Sequence, residues 1–117
     1  MSETVRYTGK IKLLERINNE TLEEQCERIA EENHCREFIG YYDNWQEVIM
    51  YELEDKYVIH NDKVYEVLEQ KDVDIYESVF KGLKNKDRTI NYDVMYYNGG
   101  CSFDEAIGHV LDSMEED

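Results

Sequence analysis

The side chains with the softest donor chemistry are Cys26, His34 and Cys35, with Cys101 and His109 further along. Thiolate and imidazole are the usual zinc ligands, but tight zinc knuckles place two cysteines two to four residues apart. That spacing is absent here, and Cys26 is equally explained as an apolar member of a helix face. Cys101 stands just before an expected helix start, where backbone N–H groups lower a thiol pKa. Asp104 and Glu105 oppose thiolate formation there, and His109 lies two helical turns away. Asn98-Gly99-Gly100 before that helix has the outline of an anion-binding loop, without the lysine or the Gly-x-x-x-x-Gly-Lys pattern of a phosphate site. The carboxylate pairs Asp72/Asp74 and Asp104/Glu105 have no His or Lys at a telling distance for acid–base work. The expectation is a protein with no cofactor, no resident metal and no catalytic residue.

The acidic rows are a different matter. Glu20, Glu23, Glu27 and Glu31 recur every three or four residues. On a helix such side chains stand about 5–6 Å apart and form a ladder of negative charge. Asp112, Glu115 and Glu116 make a second cluster near the C-terminus. A ladder of this kind imitates the phosphates of a nucleic acid and fits a basic groove on a protein. The competing reading is a solvated helix face. Four tyrosines, Tyr41, Tyr42, Tyr96 and Tyr97, are the candidate aromatic contacts, because tyrosine anchors many protein interfaces. Tyrosine in a sheet also serves simply as core.

Periodicity gives the helices and strands on which these groups sit. Val5, Tyr7, Gly9, Ile11 and Leu13 alternate with Arg6, Thr8, Lys10 and Lys12, which predicts a first strand with one cationic side, ended by Asn18-Asn19. Thr21 and Glu24 form a capping box for a helix that buries Leu22, Cys26, Ile29 and Ala30 and ends near Asn33-His34. Cys35 to Asp43 reads as a connection that packs aromatic residues, with a short strand as the alternative. Asn44 caps a second helix burying Trp45, Val48, Ile49 and Leu53 and ending near Glu54 or Asp55; Met50 and Tyr51 widen its stripe, so cover on more than one side is expected. Residues 56–70 predict a hairpin turning at Asn61-Asp62, followed by a polar bend at Lys71 to Asp74.

Ile75 to Leu83 fits either a helical stripe or a strand, and a strand over Ser78 to Lys84 is preferred as the hairpin partner of the next strand. In that next strand Ile90, Tyr92, Val94 and Tyr96 alternate with Asn91, Asp93, Met95 and Tyr97, which predicts a long element with one buried face. After the glycines, Ser102 and Glu105 make a capping box for a helix with Phe103, Ala106, Ile107, Val110, Leu111 and Met114 on one stripe. The reading is a single α+β domain over 1–117, in the order β-α-α-β-β-β-β-α. Four to five strands form an antiparallel sheet, the later ones as a meander, with three helices packed on it.

Composition bounds the partners. The 117 residues carry 28 Asp and Glu against 13 Lys and Arg, a net charge of −15, and no lysine or arginine occurs after Arg88. Direct nucleic-acid binding is excluded by this balance, since phosphate recognition needs cations. Anionic membranes are repelled for the same reason. A basic protein surface is attracted, including one that ordinarily holds DNA or RNA. The lack of an apolar leader or spanning run, with an odd count of three cysteines, points to a reducing, cytoplasmic setting.

The stretch Tyr96-Tyr97-Asn98-Gly99-Gly100-Cys101-Ser102-Phe103-Asp104-Glu105-Ala106-Ile107 resembles a loose group of small uncharacterised proteins from phages, prophages and mobile elements of Firmicutes. Tyr7-Thr8-Gly9-Lys10-Ile11 and Thr21-Leu22-Glu23-Glu24-Gln25-Cys26 look similar in that company. The resemblance touches both ends of the chain and transfers no catalytic residue. It implies an accessory gene product that acts by protein–protein binding. Small acidic proteins of that setting include anti-restriction and anti-CRISPR inhibitors, some of the DNA-mimic type. The expected partner is a basic nucleic-acid-binding host protein. The alternative is a homodimer or larger homo-oligomer, a structural module with no inhibitory role. A small metal-dependent enzyme is the third class.

Overall fold

The computed structural model describes residues 4–73, 80–97, 100 and 102–115. The elements run β1 (Thr4–Leu14), α1 (Leu22–Glu32), a single 3-10 turn (Arg36–Phe38), α2 (Trp45–Glu52), β2 (Tyr57–His60), β3 (Lys63–Asp72), β4 (Phe80–Lys84), β5 (Thr89–Tyr97) and α3 (Phe103–Glu115). This is the expected α+β order. All five strands belong to one sheet, ordered β2-β3-β1-β5-β4. The pairings β1–β5, β2–β3 and β4–β5 are antiparallel. The continuous meander expected for the later strands is corrected by this order. The hairpins β2–β3 and β4–β5 both form, and β1 lies between them. Contacts divide the chain into two compact units, Leu13–Glu66 and Met1–Lys12 with Val67–Asp117.

In the unit containing both chain ends, alternation decides the faces. Ile90, Tyr92, Val94 and Tyr96 of β5 are buried, as is Ile11 of β1. α3 packs on β4 and β5 and buries Ala106, Ile107, Val110 and Leu111. Each large apolar side chain so buried contributes roughly 1.5–3 kcal/mol. The rings of Tyr7 and Tyr92 meet Phe103 edge-on, at centroid distances of 6.0 Å and 5.7 Å. Tyr7 also lies 6.1 Å from Tyr96. Edge-on contact suits the ring quadrupole and fixes where the helix starts over the sheet. Two glycines set the closeness of this packing. A Cβ on Gly82 would stand 2.4 Å from Met114 Sδ and 2.6 Å from Val110 Cγ1, so α3 lies directly on the bare backbone of β4. A Cβ on Gly9 would stand 1.9 Å from the Glu69 carbonyl oxygen, and that same oxygen accepts a 2.9 Å hydrogen bond from the Tyr92 hydroxyl. Arg6 grips Asp93 through both Nε and Nη2, at 2.9 Å and 2.6 Å.

In the unit Leu13–Glu66, α1 packs against α2, and α2 packs against β2. The core holds Leu22, Cys26, Ile29 and Ala30 of α1, Cys35, Val48, Ile49 and Leu53, and Tyr57 and Val64 from the hairpin. The capping box of α1 forms as expected: the Glu24 N–H donates to Thr21 Oγ1 at 3.1 Å, and the Thr21 N–H donates to Glu24 Oε1 at 3.0 Å. Asn44 caps α2 by accepting from the Glu47 N–H at 2.9 Å. α2 stops at Glu52, with Leu53 as its C-cap, slightly before the expected end. Asn61 and Asp62 both adopt positive φ, 49° and 66°, as a two-residue hairpin turn requires.

One further expectation changes. Lys71 and Asp72 continue β3 instead of bending away. The Cys35–Asp43 connection makes one 3-10 turn and an isolated bridge between Ile39 and Tyr42, and Phe38 and Tyr42 pack against the core, as expected of a connection that packs aromatic residues. β4 takes up Phe80–Lys84 of the preferred strand, and Asp74 to Val79 lie outside the described residues.

Candidate functional site

The α1 carboxylates are the first group to place. Glu20 is mostly covered and receives Arg28, with Nη2 to Oε1 at 2.7 Å and Nε to the two carboxylate oxygens at 3.2 Å and 3.3 Å. The hydrogen bonds from Arg28 hold the Glu20 carboxyl below its usual range, and the Ile17 N–H adds to the same effect. Arg28 also reaches Glu32 at 3.6 Å. Glu23 accepts the Trp45 N–H at 2.5 Å, which satisfies one of the free donors at the start of α2. Glu27 and Glu31 converge on the guanidinium of Arg36, Glu27 at 3.3 Å. That guanidinium lies 5.6 Å over the centroid of Trp45. Thus all four glutamates of the expected ladder hold donors from their own chain, and two arginines sit among them.

The C-terminal cluster is placed only in part. Asp112 is exposed on α3, Glu115 is the last residue of that helix, and Glu116 lies outside the described residues. Of the tyrosines, Tyr96 is buried while Tyr97 is about half exposed. Tyr41 is 82% exposed, the most open of the large apolar side chains described. Tyr42 is half-buried and stacks on Tyr51, with centroids 5.5 Å apart and rings 20° from parallel. Its hydroxyl donates to Glu52, and that carboxylate raises the phenol pKa.

The outward side of α2 was not expected as a site. Cover on more than one side of this helix is corrected here, since Met50 is 41% and Tyr51 56% exposed. Glu47, Met50 and Tyr51 stand at i, i+3 and i+4 and share one face. Glu47 accepts the Asp43 N–H at 2.7 Å. An exposed aromatic surface flanked by carboxylates is therefore built from Tyr42, Met50, Tyr51, Glu47 and Glu52. The widened stripe of this helix was the available signal in sequence, but it does not say whether the extra apolar residues are covered.

Gln25 is fully buried, accepts from Arg16 Nε at 3.2 Å and donates to the Leu14 carbonyl at 3.1 Å. Arg16 further reaches the carbonyl and carboxylate of Asp62. A surface cleft of about 360 Å³ opens beside these residues. Burial pushes the Cys26 thiol up to about 12, and burial raises that of Cys35 as well. Among the described residues no three His, Cys, Asp or Glu side chains are grouped to hold a metal ion. Cys101 lies outside the described residues. No described helix is long and apolar enough to cross a membrane.

Charge is unevenly shared between the units. From Leu13 to Glu66 there are fifteen Asp and Glu against five Lys and Arg, a net −10. The other unit holds thirteen against eight, a net −5. No protein-family model matches the chain, and no curated protein or solved structure matches it.

Proposed function

We propose that this chain is an accessory protein of the phage or mobile-element type that works without catalysis, by binding a basic surface on another protein. In its sharp form it is an acidic inhibitor of a nucleic-acid-binding host protein. The observation that carries this reading is the concentration of negative charge in Leu13–Glu66, net −10 over a unit with its own helical core. Such a field speeds encounter with a cationic partner and weakens as salt screens it. Because the α1 ladder is braced by Arg28 and Arg36, its carboxylates are held in place, and each arginine lowers the net charge that a partner meets.

The test is capture from host-cell lysate at low and at high salt, with wild type and the E27Q/E31Q variant. These two positions are partly exposed, and their loss leaves Glu23 on the Trp45 amide. Recovery of one nucleic-acid-binding protein, released by salt and weakened in the variant, is the expected result. Capture that ignores both salt and variant overturns the charge-based reading. A second reading, self-association, is favoured by the exposure of Tyr41, Tyr51 and Tyr97. Sedimentation at rising concentration separates it: a salt-insensitive dimer supports that reading.

A further inference from the structure

Within this protein an arginine already shows how it is bound. Arg36 lies over the face of Trp45 while its guanidinium pairs with Glu27 and Glu31. The planar guanidinium suits this double use, since its face stacks on an aromatic ring while its N–H edge forks onto carboxylates. The outward side of α2 repeats the same parts. Tyr51 offers an open ring, Tyr42 stacks behind it at 5.5 Å, and Glu47 and Glu52 stand on the same short helix. Here the carboxylates accept from uncharged donors, the Asp43 N–H and the Tyr42 hydroxyl. The aromatic and anionic components are present, and among the described residues no arginine of this chain is placed over Tyr51.

We propose that this face of α2 docks an arginine of a basic protein segment, with the guanidinium stacked on Tyr51 and its N–H edge toward Glu47 and Glu52. The inference rests on the protein-binding reading above and narrows it. The general field of the unit attracts any cation, whereas an aromatic face between carboxylates discriminates arginine from lysine. Lysine carries a compact, strongly hydrated charge that gains less from a ring face. Met50, exposed beside Tyr51, adds an adaptable apolar surface for the aliphatic stem of the docked side chain.

The probes are fluorescein-labelled nona-arginine and nona-lysine, titrated by anisotropy at low salt against the full chain. Wild type is expected to bind nona-arginine about twofold to fivefold more tightly than nona-lysine, the range of one exposed cation–aromatic contact. Tyr51→Ala is expected to bring that ratio to about one while leaving nona-lysine binding unchanged. Tyr51→Trp, which keeps a ring for Tyr42 to stack on, is expected to widen the ratio. E27Q/E31Q is expected to weaken both peptides alike and leave the ratio intact. Equal affinities in wild type, or a ratio that survives Tyr51→Ala in a protein with unchanged circular dichroism, overturn the arginine assignment and leave the acidic-module reading standing. If neither peptide binds wild type, the acidic-module reading itself falls.

Discussion

Both units bury an apolar core, and they differ in the contacts laid around it. Around β1, β5 and α3 the tolerances are steric: bare glycine backbone, edge-on rings and a helix pressed onto a strand. Between Leu13 and Glu66 the distinctive ties are polar: Gln25 to Arg16 and Leu14, Glu23 to the Trp45 amide, and arginines laid among glutamates. The first kind of contact fails when an atom is added. The second fails when a hydrogen-bonding partner is removed or a proton is gained. An acidic unit needs such internal bracing, because like charges on one short helix repel one another.

Gly9→Ala is the strongest way to probe the steric unit. Its Cβ meets backbone, which has no rotamer to escape into, so a loss of about 3 kcal/mol is expected in urea melts. A variant as stable as wild type would show that β3 has room to retreat. Gln25→Leu tests the polar unit with nearly the same volume. It strands the Leu14 carbonyl and one Arg16 donor, and about 2 kcal/mol is the expected loss by the same measurement.

The pH profile sharpens the contrast. Cys26 is held protonated up to about 12 in the fold, against an ordinary 9.0. Its contribution is complete below about pH 9 and is lost as pH rises toward 12, because the unfolded chain then releases the proton first. Burial raises the Tyr92 phenol too, so the steric unit adds to the same alkaline decline above its ordinary 10.0. Glu20 acts in the opposite direction. Its carboxyl is held below its ordinary 4.5, so its contribution stands above that pH and is lost as pH falls further. Thermal melts carried well below pH 4.5 and above pH 9 should therefore show both limbs, and Arg28→Gln should blunt the acid limb alone. The smallest stability effect is expected from E27Q/E31Q, less than about 1 kcal/mol, because exposed ion pairs contribute little. Iodoacetamide mapped by mass spectrometry should leave Cys26 unlabelled at neutral pH until the chain is unfolded.

Much of the candidate site could be read in advance as a set of residues and little of it as a surface. Glu20, Glu23, Glu27 and Glu31 were recognisable on one helix from spacing. What holds them was not, since Arg36 lies beyond the helix end and Trp45 is twenty-two residues from Glu23. Tyr96 and Tyr97 are neighbours in sequence with opposite fates, one buried and one exposed, as strand alternation requires. Tyr51 was hidden within a stripe assigned to the interior.

Local elements were legible in the order of residues. Period-2 alternation, period-3.6 stripes, the Thr21 and Asn44 caps and the Asn61-Asp62 turn are short-range, because each depends on a few neighbouring dihedrals and side chains. Only the folded chain settled that β1 separates the two hairpins, that Gly9 and Gly82 receive other backbone and side chains, and that the outer side of α2 stays open. Those outcomes depend on which apolar faces find each other between elements far apart in sequence. A residue's type says what it would gain from burial or pairing, but packing alone decides what stands opposite it.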